Sequence, residues 1–276
     1  MAKIKVAFQG ERGAFSELAA QNFFKAQFTA LPCETFEAIY DAVESGHAQR
    51  GVIPIENSLV GSIHRNYDLL LERKLHVIGE TQVRIVHCLL ANRNVPISQI
   101  SRAISHPVAL DQCRQFFKQH KRISPETFYD TAGAAKHVAE TAPIGTAAIA
   151  GPFAAQLYGL RILKRSIEDE KSNYTRFLLV AKKPQLFKGK AKTSIVFSTK
   201  NQPGILYKAL SVFALRDIDL TKIESRPVRH RVWQYHFYID FIGNTRDEHV
   251  RCALDHLGEI AHFVRILGCY PLKVTS

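Results

Sequence analysis

The sequence predicts an α/β protein that continues into a separate ferredoxin-like unit. Three observations support this fold class. Short apolar strands alternate with helix-start signals up to about residue 181, a pattern typical of sheets covered by helices. Residues 182–192 then hold five lysines and no acidic residue, and Pro184 and Gly189 favour a linker there. In residues 193–276, strand and helix signals follow the order β-α-β-β-α-β.

The first part of the chain opens with a strand at residues 4–8, followed by a turn that contains Gly10 and Gly13. Further apolar runs predict strands at residues 51–55, 83–91, 103–105, 147–150 and 177–180. Helix boundaries are predicted at Ser16 (as N-cap), Phe24, Val108, Pro152 and Gly159. This alternation favours parallel strands.

Polar residues lie where several of these strands end. In open α/β sheets, strand ends and helix N-termini meet at one edge, where an anion can be bound. A Thr-Arg pair beside a strand is a weak signal alone, and taken by itself it favours a satisfied strand end over a binding site. The segments expected at this edge are Gly10 to Ser16, Glu56 to Ser58 with Gly61-Ser62, Ser105-His106, Asp130 to Gly133, and Thr175-Arg176.

Composition and charge exclude several functions. The length of 276 residues predicts roughly two domains, and 46% hydrophobic residues suffice for packed cores. Much of the net charge of +12 lies in the lysines of the linker-like residues 182–192, whereas nucleic-acid binding favours basic residues interleaved with aromatic ones on one folded element. The five cysteines are scattered and the histidines lack ligand spacing, so we predict no metal, no disulfide framework and no cofactor.

The start of the chain lacks the apolar core of a signal peptide, and no apolar run approaches the ~20 residues that span a bilayer. We therefore expect a cytoplasmic protein without a membrane segment.

The C-terminal part is predicted independently. Apolar and alternating segments predict strands at residues 193–198, 221–224, 232–241 and 263–267, with helices at about 203–215 and 249–257. Trp233, the single tryptophan, favours sheet packing or a dimer contact over contact with a ligand.

Several segments occur in an order that resembles prephenate dehydratases with a C-terminal ACT domain. They are Gly51 to Ser58, Ser105-His106-Pro107, Asp130-Thr131-Ala132, Tyr158-Gly159-Leu160, Asn173-Tyr174-Thr175-Arg176-Phe177 and Glu224-Ser225-Arg226-Pro227. The resemblance covers nearly the whole chain. Residues 56–70, 222–227 and 267–271 look particularly like the plant arogenate dehydratases and their bacterial relatives.

The resemblance implies a catalytic region folded like a type 2 periplasmic binding protein, plus a ferredoxin-like (βαββαβ) ACT domain. The implied domains are 1–181, with one lobe of about 1–80 and 165–181 and another of about 81–164, then a linker at 182–192 and the ACT domain at 193–276. The implied reaction is decarboxylating dehydration of prephenate to phenylpyruvate, or of arogenate to phenylalanine.

The same resemblance assigns Thr175 the catalytic role, as hydrogen-bond donor to the departing hydroxide. The implied substrate contacts are Arg176, Asn57, Ser58, Ser105 and Thr131, with Glu56 as a supporting residue. His106 is interpreted as a turn cap and is not assigned to the site. For Arg176 the alternative is an ion pair with Glu56 or Asp169 that only shapes the cleft.

The ACT domain implies that phenylalanine is an effector and that the protein is a homodimer or homotetramer. The implied effector-binding residues are Gly204, Leu206, Glu224, Ser225, Arg226 and Pro227. An alternative from another class is a non-catalytic, amino-acid-responsive binding protein. Thr175 within its full motif, together with Asn57-Ser58, favours the enzyme.

Overall fold

The structure is a computed structural model, and it describes residues 3–25, 27–185, 187–228 and 233–272. The chain divides into two compact units. The first comprises Met1–Ile63 and Thr81–Phe177, and the second comprises His64–Glu80 and Leu178–Ser276. The segment 64–80 thus packs with the C-terminal residues, whereas the sequence assigned it to the first lobe.

The strands up to the basic segment are β1 (Ile4–Gln9), β2 (Phe28–Cys33), β3 (Arg50–Asn57), β4 (Gly61–Ser62), β5 (His76–Arg84), β6 (Cys88–Ala91), β7 (Arg102–Ser105), β8 (Ser124–Thr127), β9 (Thr146–Ala150), β10 (Arg161–Lys164) and β11 (Tyr174–Ala181). The helices are α1 (Phe15–Phe24), α2 (Phe36–Ser45), α3 (His64–Glu72), α4 (Pro107–Asp111), α5 (Arg114–Gln119), α6 (Thr131–Thr141) and α7 (Pro152–Tyr158). A short 3₁₀ helix spans Ile97–Gln99.

These strands form two sheets, with orders β2-β1-β3-β11-β5 and β10-β6-β9-β7-β8; β4 pairs with β3. The predicted parallel pairing is found for β1 with β2 and β3, and for β7 with β8 and β9. It is wrong for β6, which pairs antiparallel with β9, and the strands β4 and β10, which were not predicted, also pair antiparallel. The α/β class is confirmed, and both sheets are mixed.

Helix boundaries agree with the sequence where glycine or proline determines them. Gly151 is the N-cap of α7, Pro152 is its first residue, and Gly159 ends it with φ of 68°. The predicted N-cap Ser16 is wrong because α1 already begins at Phe15 with Ala14 as its N-cap. The predicted strand 83–91 is also wrong as one element, since β5 ends at Arg84 and β6 begins at Cys88.

The C-terminal elements are β12 (Ala191–Ser198), α8 (Ile205–Ala214), β13 (Leu220–Pro227), β14 (Tyr235–Ile242), α9 (Glu248–Ile260) and β15 (Phe263–Pro271). Their β-α-β-β-α-β succession and the sheet order β13-β14-β12-β15 confirm the ferredoxin-like unit. The helices and one sheet face enclose a core that includes Phe197, Phe213 and Phe241. The predicted strand start at Val232 lies outside the described residues.

Candidate active site

A cavity of about 300 Å³ lies in the first unit and contains Thr175 in its wall. Most of its wall is apolar, which suits a hydrocarbon ring, while a few polar groups can fix the orientation of a ligand. The apolar lining residues are Phe15, Pro54, Val60, Ile63, Ile85, Val108 and Ala109. The polar lining residues are Asn57, His87, His106, Gln112, Thr131 and Thr175.

Thr175 reaches the cavity because of its position in β11. Side chains alternate between the two faces of a strand, and Thr175 and Phe177 are both buried while Arg176 between them is half-buried. The sequence suggested that Thr175 precedes the strand, but Thr175 lies within β11. The alternation places Arg176 on the face opposite to Thr175, and Arg176 does not line the cavity.

Asn57 at the end of β3 orients the Thr175 hydroxyl. Its Nδ2 donates to Thr175 Oγ1 at 2.9 Å and to Asn173 Oδ1 at 2.8 Å. Its Oδ1 accepts from the backbone N–H groups of Leu59 and Val60, both at 3.0 Å, which fixes the side chain in a local turn. Because Thr175 Oγ1 accepts from Asn57, its own O–H proton is available to a ligand in the cavity.

This network continues through residues that the sequence did not indicate as functional. Asn173 Nδ2 donates to Gln112 Oε1 at 2.9 Å, and the same oxygen lies 3.0 Å from His87 Nε2. Since Gln112 Oε1 only accepts, His87 carries its proton on Nε2. His87 Nδ1 is buried and makes no hydrogen bond with the residues that the structure describes. Asn173 belongs to the same motif as Thr175, but no local sequence signal connects Gln112 or His87 with Thr175.

His87 is 2% exposed and lies in the interruption between β5 and β6. Burial lowers the pKa of His87, while the hydrogen bond with Gln112 and the charge of Glu168 act in the opposite direction. The carboxylate of Glu168 accepts from the His87 backbone N–H at 2.9 Å. The strand therefore breaks where this backbone group turns towards Glu168, and the neutral ring edges the cavity.

Three further predicted contacts do not line the cavity, and these predictions are corrected. Ser105 is 0% exposed and its Oγ donates to the Ile149 carbonyl at 2.6 Å, so it stabilises the second sheet. Ser58 Oγ donates to the Ser172 carbonyl and accepts from the Tyr174 N–H, which fastens the loop after β3 to the start of β11. Glu56, the supporting residue, also lies outside the wall.

His106 combines the cap that the sequence predicted with a position in the wall. Its Nδ1 accepts from the Val108 N–H at 3.3 Å, making it the N-cap of α4. Thr131, at the first turn of α6, is brought to the cavity as expected. The preceding residue Asp130 caps α6 through Oδ1, which accepts from Gly133 N–H at 2.7 Å.

Neither a membrane-spanning helix nor a metal-binding cluster is found in the described ranges. Within residues 3–25, 27–185, 187–228 and 233–272, no helix is long and apolar enough to cross a membrane. Over the same ranges, no group of three or more His, Cys, Asp or Glu side chains is placed to hold a metal ion.

Models of two protein families match this chain. The model for prephenate dehydratase matches residues 6–185, and the model for the ACT domain matches residues 193–258. The first match alone covers more than half of the 276 residues.

The chain belongs to the prephenate dehydratase family.

Similar proteins support the assignment of this chain to the prephenate dehydratases that carry an ACT domain. Arogenate dehydratase/prephenate dehydratase 2, chloroplastic, from Arabidopsis thaliana is 47% identical over 99% of this chain and 74% of that protein. A solved structure of prephenate dehydratase from Arthrobacter aurescens in complex with L-Phe is 33% identical, covers 97% of this chain and 89% of that one, and has a TM-score of 0.87. The predicted resemblance and the lyase class are confirmed.

A third similar protein carries a different description. The solved structure of GqqA, described as a novel type of quorum quenching acylase, is 35% identical, covers 98% of each chain and has a TM-score of 0.89. This fold therefore occurs in a protein described by another activity, so the chemistry has to be argued from the cavity.

The predicted effector residues fall into two groups within the second unit. Side chains of β13 alternate between half-buried and exposed, with Ser225 and Pro227 exposed. Glu224 lies 3.2 Å from His64 Nε2, and Arg226 Nη2 lies 3.1 Å from Asp68 Oδ2, so both are held by α3. Gly204, with φ of 74°, is the N-cap of α8, and Leu206 follows in its first turn. Glu224 and Arg226 thus contact side chains of α3, and their role in binding an effector stays a prediction.

Proposed function

We propose that this protein catalyses the decarboxylating dehydration of prephenate or arogenate in phenylalanine biosynthesis, with Thr175 acting on the departing hydroxide. The observation that carries the proposal is the hydrogen bond from Asn57 Nδ2 to Thr175 Oγ1 inside a largely apolar cavity. Family membership and the names of the similar dehydratases support the same reaction.

The reaction breaks two bonds of the substrate ring. The electrons of the bond to the ring carboxylate enter the ring as carbon dioxide leaves, and the electrons of the carbon-oxygen bond leave with hydroxide. Thr175 donates its proton towards that oxygen, so that water departs, and the threonine is reprotonated from solvent. A donated hydrogen bond from Asn57 polarises the hydroxyl and makes it a stronger donor as charge develops.

The apolar wall contributes to the other half of the reaction. Phe15, Val60 and Ile63 are among the side chains that would enclose the ring and replace water around it. A carboxylate loses stabilisation when its water is removed, whereas neutral carbon dioxide does not, so an apolar enclosure favours decarboxylation.

Helix N-termini supply donors for the substrate carboxylates. The N-cap of α1 is Ala14, which has no side-chain group to satisfy the first N–H groups of that helix. Phe15 and Ser16 of this first turn, with Thr131 of α6, line a second cavity of about 210 Å³. Anions are stabilised at such N-termini by the free N–H groups and the helix dipole.

We also propose that phenylalanine inhibits the enzyme through the ACT domain, near Gly204, Leu206, Ser225 and Pro227. The solved relative that contains L-Phe supports this effector. A homodimer or homotetramer joined through the ACT domains is supported by exposed apolar side chains of the second unit, including Tyr207 and Leu215 at 77% exposure each. A cytoplasmic location stays a prediction.

Turnover measurements on purified protein test the reaction. We expect phenylpyruvate from prephenate or phenylalanine from arogenate, and Thr175→Ala should fold normally and lose about 100- to 10,000-fold in kcat. The control is Thr29→Ala, the same change at an exposed strand position, which should keep parental turnover. Near-parental kcat in Thr175→Ala would refute the assigned role.

Two further outcomes would change the functional class. Binding of the substrates without turnover would favour the non-catalytic binding protein. Hydrolysis of N-acyl amides in place of dehydration would favour an acylase, the activity by which GqqA is described.

A further inference from the structure

A second cavity with different chemistry shares part of its lining with the catalytic cavity. The cavity of about 300 Å³ that contains Thr175 shares Phe15, His106 and Thr131 with the cavity of about 210 Å³. The second cavity adds Gln9, Ala14, Ser16, Tyr129 and Asp130, and its lining is therefore more polar than that of the first cavity. A substrate with its ring hydroxyl at Thr175 can extend its side chain into this second cavity.

Asp130 presents one carboxylate oxygen to this space. Oδ1 accepts from Gly133 N–H at 2.7 Å as the cap of α6. Oδ2 lies beside Gly10, where an added Cβ atom would approach it to 2.9 Å. Gly10 also has φ of 102°, which favours glycine on conformational grounds. Asp130 lies where two cavities meet, since it also lines a further cavity of about 540 Å³.

Two nearby carboxylates, Glu11 and Glu17, already have cationic partners. Glu11 accepts from Lys136 Nζ at 3.2 Å and from the Tyr129 hydroxyl at 3.2 Å. Glu17 pairs with Arg12 Nε at 2.8 Å and accepts from Gly13 N–H at 2.7 Å. Among the described residues, no lysine or arginine forms an ion pair with Asp130. Burial raises the pKa of Asp130, whereas the backbone N–H groups of Gly133 and Ala132 and the nearby His106 act in the opposite direction.

We propose that Asp130 recognises the ammonium group of an α-amino acid side chain on the substrate, so that the enzyme prefers arogenate to prephenate. The side-chain carboxylate lies at the N-terminus of α1, and the ammonium group beside it faces Asp130 Oδ2. Prephenate carries a keto oxygen at that position, which a carboxylate repels. This inference rests on the proposed function and identifies the substrate class of the same cavity.

The test compares kcat/KM for arogenate and prephenate in the parent, Asp130→Asn and Asp130→Ser. Asparagine and serine both cap helices well, so the start of α6 is retained while the charge is removed. We expect the arogenate-to-prephenate ratio to fall about 10- to 100-fold, mainly through KM for arogenate, because a hydrogen bond to a charged group is lost. The matched control is Glu34→Gln, which removes one negative charge from the cavity of about 540 Å³ only and should leave the ratio unchanged.

Failure of this inference is separable from failure of the proposed function. A ratio that changes less than threefold in both Asp130 variants, or equally in Glu34→Gln, would overturn the role of Asp130 while dehydratase activity stands. The same comparison is made by equilibrium binding in the Thr175→Ala background, where no turnover is required. Preferential binding of arogenate that disappears with Asp130→Asn supports the inference even if the parent turns over neither substrate, and equal binding of both substrates by Thr175→Ala contradicts it.

Discussion

At the scale of single residues, His87 makes the stability of this protein sensitive to acid. Burial keeps the pKa of His87 below that of an exposed histidine, about 6.5. The unfolded chain therefore binds more protons at this residue than the native chain as the pH falls below about 6.5, and the native state loses stability there. Since His87 Nε2 bonds to Gln112, protonation also places charge beside the network that ends at Thr175.

We expect the free energy of unfolding to fall less steeply between pH 7 and 5 in His87→Gln than in the parent. Urea denaturation at several pH values measures this difference. His47→Gln, at an exposed position, is the control and should retain the parental slope. Histidines elsewhere in the chain contribute equally to parent and variant, so identical slopes in the two proteins would contradict the assignment.

The residues that could be predicted from the sequence are those whose motif also determines where their side chains point. Thr175 lies near the start of β11, Asn57 ends β3 and Thr131 begins α6, and the fold brings them to one cavity. Gln112 and His87 could not be predicted, because one ends a short helix and the other occupies an interruption between strands. Ser105 shows the converse error, since a hydroxyl at a strand end was satisfied by a neighbouring carbonyl.

At the scale of secondary structure, α3 is attached to β13 and β14 of the second unit by polar contacts. Arg226 pairs with Asp68 at 3.1 Å, and both side chains are only about one-fifth exposed, at 21% and 18%. The Tyr238 hydroxyl donates to the Tyr67 carbonyl at 2.9 Å close by. A charge pair that is largely withdrawn from water contributes more than an exposed one, because solvent screens it less.

A double-mutant cycle on this pair measures its contribution. Asp68→Ala and Arg226→Ala should each lower the free energy of unfolding by about 1–3 kcal/mol, with a coupling energy of about 1 kcal/mol or more between them. The control pair lies on the same helix: Arg65 and Glu72 are 3.3 Å apart but 37% and 41% exposed. Its coupling should be about 0.5 kcal/mol or less. Equal coupling in the two cycles would show that burial does not strengthen the Arg226–Asp68 pair.

Local patterns predicted secondary structure better than they predicted pairing. The elements of the ferredoxin-like unit were recognisable because each strand and helix has its own hydrophobic period. The antiparallel insertion of β6 between β10 and β9 was not, since it depends on partners about 60–70 residues away along the chain. An apolar run such as residues 83–91 carries no signal for the break that opens at His87.

At the scale of the whole molecule, the family matches and the compact units divide the chain differently. The prephenate dehydratase model matches residues 6–185 continuously, whereas His64–Glu80 packs with Leu178–Ser276. The basic segment at 182–192 indicates a domain boundary in the sequence. It carries no signal that α3 and the first half of β5 belong to the second unit. Contacts such as Lys192 Nζ with Glu80 at 2.6 Å, within that unit, became visible only in three dimensions.

Regulation by phenylalanine involves the whole molecule, because the effector and the reaction use different parts of the chain. Ser225 is exposed on β13 and Gly204 begins α8, and neither lines the cavity of Thr175. Ser225→Ala removes a hydroxyl that can bond to the charged groups of phenylalanine, and it leaves the wall of the catalytic cavity unchanged. We therefore expect the phenylalanine concentration for half-inhibition to rise at least tenfold, with turnover in the absence of phenylalanine within twofold of the parent.

Ser211→Ala is the control, because the Ser211 hydroxyl bonds to the Lys208 carbonyl of its own helix at 2.8 Å, and inhibition should be unchanged. Unaltered inhibition in Ser225→Ala would remove β13 from the effector site, whereas equal loss of turnover and inhibition would mean that Ser225 supports folding rather than sensing.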